Sequence, residues 1–129
     1  MRDGQRLRIF FDGGCRPNPG RMEIAVVARG QSHITRDLGH GTSADAEWLA
    51  LIEAVRIARS LDAPECVLLG DSAMVVAQAN GASKCRSANL RGHLETFRQL
   101  AAAGPPLRIR HIGRSQNLAG IALAKTHDR

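Results

Sequence analysis

Apolar positions along the chain fall into short continuous runs and into stretches with helical spacing, and their order predicts an α/β architecture. Residues 7–12, closing on Ile9-Phe10-Phe11-Asp12, read as a buried strand. Residues 13–20, rich in Gly and Pro with Asn18 near the centre, read as a loop. Residues 23–29 and 33–38 read as short strands joined by Gly30-Gln31-Ser32, the spacing of a hairpin, and Gly39-His40-Gly41 ends the second. Thr42-Ser43-Ala44-Asp45 has the form of a capping box, a side-chain oxygen followed three residues later by an acid. Trp48, Leu51, Ile52, Val55 and Ile57-Ala58 then recur at helical spacing, up to about Ser60. Residues 66–70 form a second continuous apolar run, of the type buried on both faces. Ser72 can cap a short helix through Ala79, closed by Asn80-Gly81. A third helix is predicted over residues 90–103, stopped by Gly104-Pro105-Pro106. Residues 107–112 alternate and read as a strand with a basic face, and residues 118 to about 126 as a last short helix.

The first three strands can form a meander. The long helix then acts as a crossover, which should be right-handed and should lay the 66–70 strand parallel to the 7–12 strand. Asp12 and Asp71 would then end neighbouring strands on the same sheet edge, where ligands of open α/β sheets bind. The helix carrying Glu47 starts from that neighbourhood.

Composition narrows the picture. A chain of 129 residues with 43% hydrophobic content suits one domain with a real core rather than a disordered segment. No apolar run approaches the ~18 residues of a membrane span, and Met1-Arg2-Asp3-Gly4 does not resemble a secretory signal, so a cytoplasmic protein without membrane association, and a monomer, is the expectation. Cys15, Cys66 and Cys85 are widely spaced, which argues against structural zinc and for reduced thiols. The net charge of +6 suits a polyanionic partner, most often nucleic acid, although a merely basic protein would show the same charge. Aromatics are only 3% of residues and Tyr is absent, so a base-stacking platform for single strands is poorly supported and a reader of duplex backbone fits better.

The candidate chemistry rests on three acids. Alone, each has an ordinary role: Asp12 can start a turn, Glu47 can favour a helix N-terminus, Asp71 can cap a helix. Brought together they would repel, unless a divalent cation neutralises them. Hard carboxylate oxygens suit Mg²⁺, with Mn²⁺ as the alternative. Paired ions of this kind serve phosphoryl chemistry, one activating water and the other stabilising the leaving oxygen. No Gly-x-x-x-x-Gly-Lys loop is present, which argues against a nucleoside triphosphate site.

Four segments in order carry a resemblance to type 1 ribonucleases H. These are Asp12-Gly13-Gly14-Cys15-Arg16-Pro17-Asn18-Pro19-Gly20, Thr42 to Leu51 around Glu47, Asp71-Ser72 at a strand end, and His111-Ile112-Gly113-Arg114-Ser115-Gln116-Asn117 followed by Leu123-Ala124. The resemblance implies a five-stranded mixed sheet flanked by helices, and hydrolysis of the RNA strand of RNA–DNA hybrids. It would make Asp12 a ligand shared by two metals, with Glu47 and Asp71 on the second. His111 falls where many members carry a mobile His; a strand-end His held by hydrogen bonds is the other reading. Asn18, Ser43 and Ser72 would lie along the minor groove, which displays the 2′-hydroxyls of RNA, and Gly13, Cys15 and Asn117 would also contact nucleic acid.

Departures from the pattern open a second reading, a non-catalytic binder of hybrid or other duplex. Ile121 stands where the family carries a fourth acid, and Asp128 is two helical turns too far along to replace it, about 10 Å. The terminal helix is expected to turn Leu118, Ile121 and Ala122 toward the sheet near the acids. Ala44 replaces a substrate-contacting Asn. Glu23 occupies a usually small position, as an added carboxylate or a surface acid. Residues 80–89 are short and lack a long basic handle, leaving Lys84 and Arg86 as phosphate contacts or as solvated charge.

Overall fold

The computed structural model describes residues 6–127. The N-terminal Met1-Arg2-Asp3-Gly4 and Asp128, both weighed above, lie outside the described residues. The elements are β1 (Leu7–Cys15), β2 (Gly20–Ala28), β3 (Gln31–Thr35), β4 (His40–Gly41), α1 (Ser43–Ser60), β5 (Cys66–Gly70), α2 (Ala73–Ala79), α3 (Ala88–Ala102), β6 (Leu107–His111) and α4 (Leu118–Lys125), with a short 3-10 turn at Arg114–Gln116 before α4.

The sheet runs β3-β2-β1-β5-β6, antiparallel through β1 and parallel from β1 to β6. The two-residue β4 pairs with Gly20 and Arg21 of β2, adding a sixth strand to the expected five. The expected 33–38 strand is shorter because Asp37 and Gly39 take positive φ, 65° and 92°, which breaks the ladder. The hairpin before it turns on Arg29 and Gly30, both at positive φ, so Ala28 faces Gln31 across a two-residue loop of the kind that matches strand twist. The expected 13–20 loop is also shorter. β1 continues to Cys15, and only residues 16–19 turn, with cis Arg16–Pro17 and Asn18–Pro19 bonds.

Period-two alternation divides each central strand between two cores. Ile9, Phe11, Ile24, Val26 and Leu68 face α1, α2 and α3, whose Leu51, Val55, Val75, Leu94 and Phe97 close the larger core. Phe10, Ala25, Val27, Val67 and Leu69 face α4 through Ala119 and Leu123. Trp48 is fully buried in the larger core, beside Phe97 edge-on at 6.0 Å, and its indole N–H donates to Gln78 Oε1 at 3.2 Å.

The capping box forms as its spacing predicts. Thr42 Oγ1 accepts from the Asp45 N–H at 3.1 Å, and Asp45 Oδ2 accepts from the Thr42 N–H at 3.0 Å. The other Asp45 oxygen meets Asn89 and His93 of α3, so one acid both starts α1 and fastens α3 to it. The expected face of α4 is corrected. Ala119 and Leu123 pack inward with Ala122 half-buried, whereas Leu118 and Ile121 are 47% and 41% exposed. Small residues let the helix lie close to β1 and β2, which turns the two larger side chains outward.

Candidate active site

Three elements converge where β1 passes the carboxyl end of β5 and the start of α1. Parallel pairing sets Phe10 level with Leu69, and continuing that register brings Asp12 beside Asp71. Gly70 admits the Phe11 ring, whose nearest atom would lie 2.4 Å from a Cβ there. Gly13 allows the N-terminus of α1 to approach, since a Cβ would lie 2.1 Å from the Ala46 carbonyl oxygen. This close crossing delivers Glu47, whose Oε1 accepts from the Gly13 N–H at 2.9 Å. Asp12, Glu47 and Asp71 each present an oxygen, and these atoms all lie within 4.8 Å of one another.

Such proximity is costly for three anions. Burial, then repulsion from Asp71, pushes the Asp12 carboxyl up to about 7, against opposing help from Arg114 and the Gly13 N–H. Burial, then repulsion from Asp12, pushes Glu47 up to about 8. Only hard oxygen donors are offered, and they already converge, so the chemistry of the donor set fits Mg²⁺ or Mn²⁺.

The acids open into a cleft of about 420 Å³, also lined by Ser43, Arg16, Glu23, Arg114, Gly120 and Ile121. Gly120 of α4 lies close to the acids: a Cβ there would sit 3.5 Å from Asp12 Oδ2 and 3.7 Å from Asp71 Oδ2. Ile121, at the position where an acid was expected, lines the cleft with an exposed apolar side chain. Glu23 is nearly buried and bonded to His127, with Arg36 Nε at 3.6 Å.

The remaining predicted residues separate. Asn18 and Ser43 stay together at the start of α1, where Asn18 Oδ1 accepts from the Ser43 N–H at 3.0 Å. Ser72 caps α2 by accepting from the Val75 N–H at 3.3 Å. Two expected nucleic-acid contacts are corrected. Cys15 is buried, its thiol donating to Asn18 Oδ1 at 3.4 Å and 3.6 Å from Ser43 Oγ, so it braces those residues from beneath. Asn117 is fully buried as the cap of α4. Its amide donates to Asp71 Oδ2 and to the Phe11 carbonyl, both at 3.0 Å, which fixes the third carboxylate. Lys84 and Arg86 line a separate hollow with Arg91 and Arg98. His111 is exposed at the end of β6, level with Gly70, and borders a different hollow from the one containing the acids.

The cation that does line the acidic cleft is Arg114, missed as a site residue although it lies three positions before Asn117. A short 3-10 turn, Arg114–Gln116, separates it from the helix cap Asn117, and nothing in the local sequence marked its approach to the acids.

Comparison with known proteins agrees with this architecture. The family model described as reverse transcriptase-like matches residues 10–127. A ribonuclease HI of Halobacterium salinarum is 32% identical over 126 residues, 94% of this chain and 63% of that protein. A bifunctional protein of Mycobacterium tuberculosis is 29% identical over 125 residues, 92% of this chain and 34% of its own length. The chain thus spans less than two thirds of these curated relatives. Among solved structures, the Halobacterium salinarum ribonuclease H1 superimposes with a TM-score of 0.84 at 29% identity, covering 92% of this chain and 93% of that one. The LC11 ribonuclease H1 in complex with RNA/DNA hybrid gives 0.79 at 27% identity, covering 91% and 92%. Family model, relatives and shared mixed sheet together establish that the chain belongs to the reverse transcriptase-like family, as a domain of the ribonuclease H type.

Proposed function

We propose that the protein hydrolyses the RNA strand of RNA–DNA hybrids with a divalent cation, Mg²⁺ or Mn²⁺. The observation that carries the reading is the convergence of Asp12, Glu47 and Asp71 within 4.8 Å. A relative of the same fold was solved in complex with RNA/DNA hybrid, which supports the substrate class. Asp12, Glu47 and Asp71 would hold the cation, which supplies an activated water and charge stabilisation at phosphorus. The chain's own groups orient that set: the Gly13 N–H holds Glu47, and Asn117 holds Asp71. Arg114 offers a positive charge facing the cleft, suited to a phosphate oxygen. Asn18 lies in the turn after β1, Ser43 opens α1 and Ser72 follows Asp71 directly, and we assign all three to the minor groove with its 2′-hydroxyls.

The test uses hybrid labelled on either strand, alongside duplex DNA. The RNA strand should shorten with Mg²⁺ or Mn²⁺, while the DNA strand and duplex DNA stay intact. Equal cleavage of duplex DNA would contradict the substrate assignment.

One observation favours a second reading, a binder without turnover. Ile121 presents a hydrocarbon side chain to the cleft where the family resemblance places an acid. Tight hybrid binding with no cleavage under either metal would select it.

A further inference from the structure

The sheet face beneath α4 is only half covered. α4 packs over β1 and β2, and beyond it the face formed by β5 and β6 remains as a hollow of about 380 Å³. Val67 and Leu69 line it with Arg6, Arg8 and Arg110, and it ends at His111 and Ile112. Registers set Arg8 and Arg108 on either side of Val67, and Arg110 beside Leu69. Alternation of side chains then puts Arg8, Arg108 and Arg110 on this one face. All three are exposed, and Arg8 lies over the Phe10 ring at 5.3 Å. Among the described residues none of the three has an ion-pair partner, and no carboxylate lines the hollow.

Arginines on an edge strand guard it against pairing with another chain. That role explains Arg108 and Arg110 on β6. It does not explain Arg8, which sits on the central strand β1, or the gathering of all three on one face. Unneutralised guanidinium groups over an apolar floor attract phosphate strongly, because the low-dielectric floor weakens screening and the planar fork matches phosphate oxygens. Direction matters as well. β6 ends at His111, level with Gly70 and one residue before Asp71. The row therefore begins beside the carboxylates and runs back along the sheet, Arg110 to Arg108, at about 7 Å for two strand residues.

We propose that this open sheet face is a second nucleic-acid contact, gripping the phosphate backbone of a strand that extends past the carboxylate cleft. The inference rests on nucleic acid being the substrate, and it does not require hydrolysis. It gives long substrates an advantage over short ones that fill only the cleft.

Binding of a long and a short hybrid is measured by fluorescence anisotropy across salt concentrations, with chelator present to prevent cleavage. The wild type is compared with the triple variant Arg8→Gln/Arg108→Gln/Arg110→Gln and with the corresponding triple Lys variant. On the long hybrid, the Gln variant should lose affinity, and its log–log salt slope should shrink by roughly 2–3, near 0.9 for each lost phosphate contact. The Lys variant should recover most of the slope, and short-hybrid binding should not change. An unchanged slope in a Gln variant that melts like the wild type overturns the proposal. If the triple variant does not fold, Arg108→Gln and Arg110→Gln singly should each reduce the slope by about one, and no reduction in either overturns it. Self-association of the Gln variant with unchanged hybrid affinity would assign the arginines to edge protection instead. Loss of binding to phosphatidylserine vesicles with unchanged hybrid affinity would assign the face to anionic membranes. Failure of the wild type to bind either hybrid defeats the proposed function itself, whereas normal wild-type binding with an unchanged slope defeats only this surface.

Discussion

At the scale of single residues, the site is governed by how three carboxylates tolerate one another. Asp12 and Glu47 are pushed up to about 7 and about 8, so the folded chain holds their protons more tightly than the unfolded chain. The stability this contributes is complete below about pH 4, where both states are protonated, and it is lost as pH rises through 7 to 8. Thermal melting without divalent cation should therefore show a melting temperature that falls between pH 4 and pH 8. Asp12→Asn should flatten much of that fall, and an equal slope in the variant would contradict the shared-charge account. Asn117→Ala removes a helix cap and two further hydrogen bonds. It should cost about 2–3 kcal/mol in denaturant unfolding, a cap near 1 kcal/mol with buried groups left unpaired, and should weaken metal binding by freeing Asp71. Asp12, Glu47 and Asp71 were legible in the sequence because a strand-end Asp and a first-turn Glu are local signals. The burial of Asn117 and Cys15, and the entry of Arg114 into the cleft, depend on contacts between segments distant in sequence. No residue-by-residue pattern carries that information.

Element scale shows why the acids meet. α1 reaches β1 only because Gly13 has no side chain, and the added methyl of Gly13→Ala would strike the Ala46 carbonyl. Overpacking of this kind costs about 1–3 kcal/mol, and moving α1 carries Glu47 away. Calorimetric titration with Mn²⁺ should show weakened binding, and wild-type affinity would refute the role given to the close approach. The capping box and the alternating strands were readable in advance because each follows from short-range chemistry. The orientation of α4 was not. Leu118, Ile121 and Ala122 looked like its inward face, yet the sheet accepts the smaller Ala119 together with Leu123, and Ile121 turns into the cleft rim. Exposure of Ile121 changes what Ile121→Asp should do. The variant loses little core packing, and its new carboxylate projects into the same cleft as Asp12. Mn²⁺ affinity and cleavage rate should both rise, and neither would change if residue 121 points away from the cation.

Across the whole molecule, a net charge of +6 and an acidic cleft divide the labour of binding. Exposed cations attract the nucleic-acid backbone, whereas the half-buried acids converge on one place that a divalent counter-ion fits. Divalent cation should stabilise the native chain, by about 2.7 kcal/mol when its concentration is a hundred times Kd. The stabilisation should appear as a melting shift at pH 8 and largely vanish in Asp12→Asn. The meander and the parallel placement of β5 beside β1 were predictable from the order of elements, which is why the sequence alone could set Asp12 and Asp71 side by side. The measurement that bears most directly on the central claim compares wild type with Asp12→Asn on hybrid labelled in its RNA strand, with Mg²⁺ or Mn²⁺ and with chelator. The account predicts cleavage by the wild type that requires the cation and is lost in Asp12→Asn. Cleavage that survives Asp12→Asn or the chelator, or no cleavage by the wild type at any enzyme concentration, would contradict it.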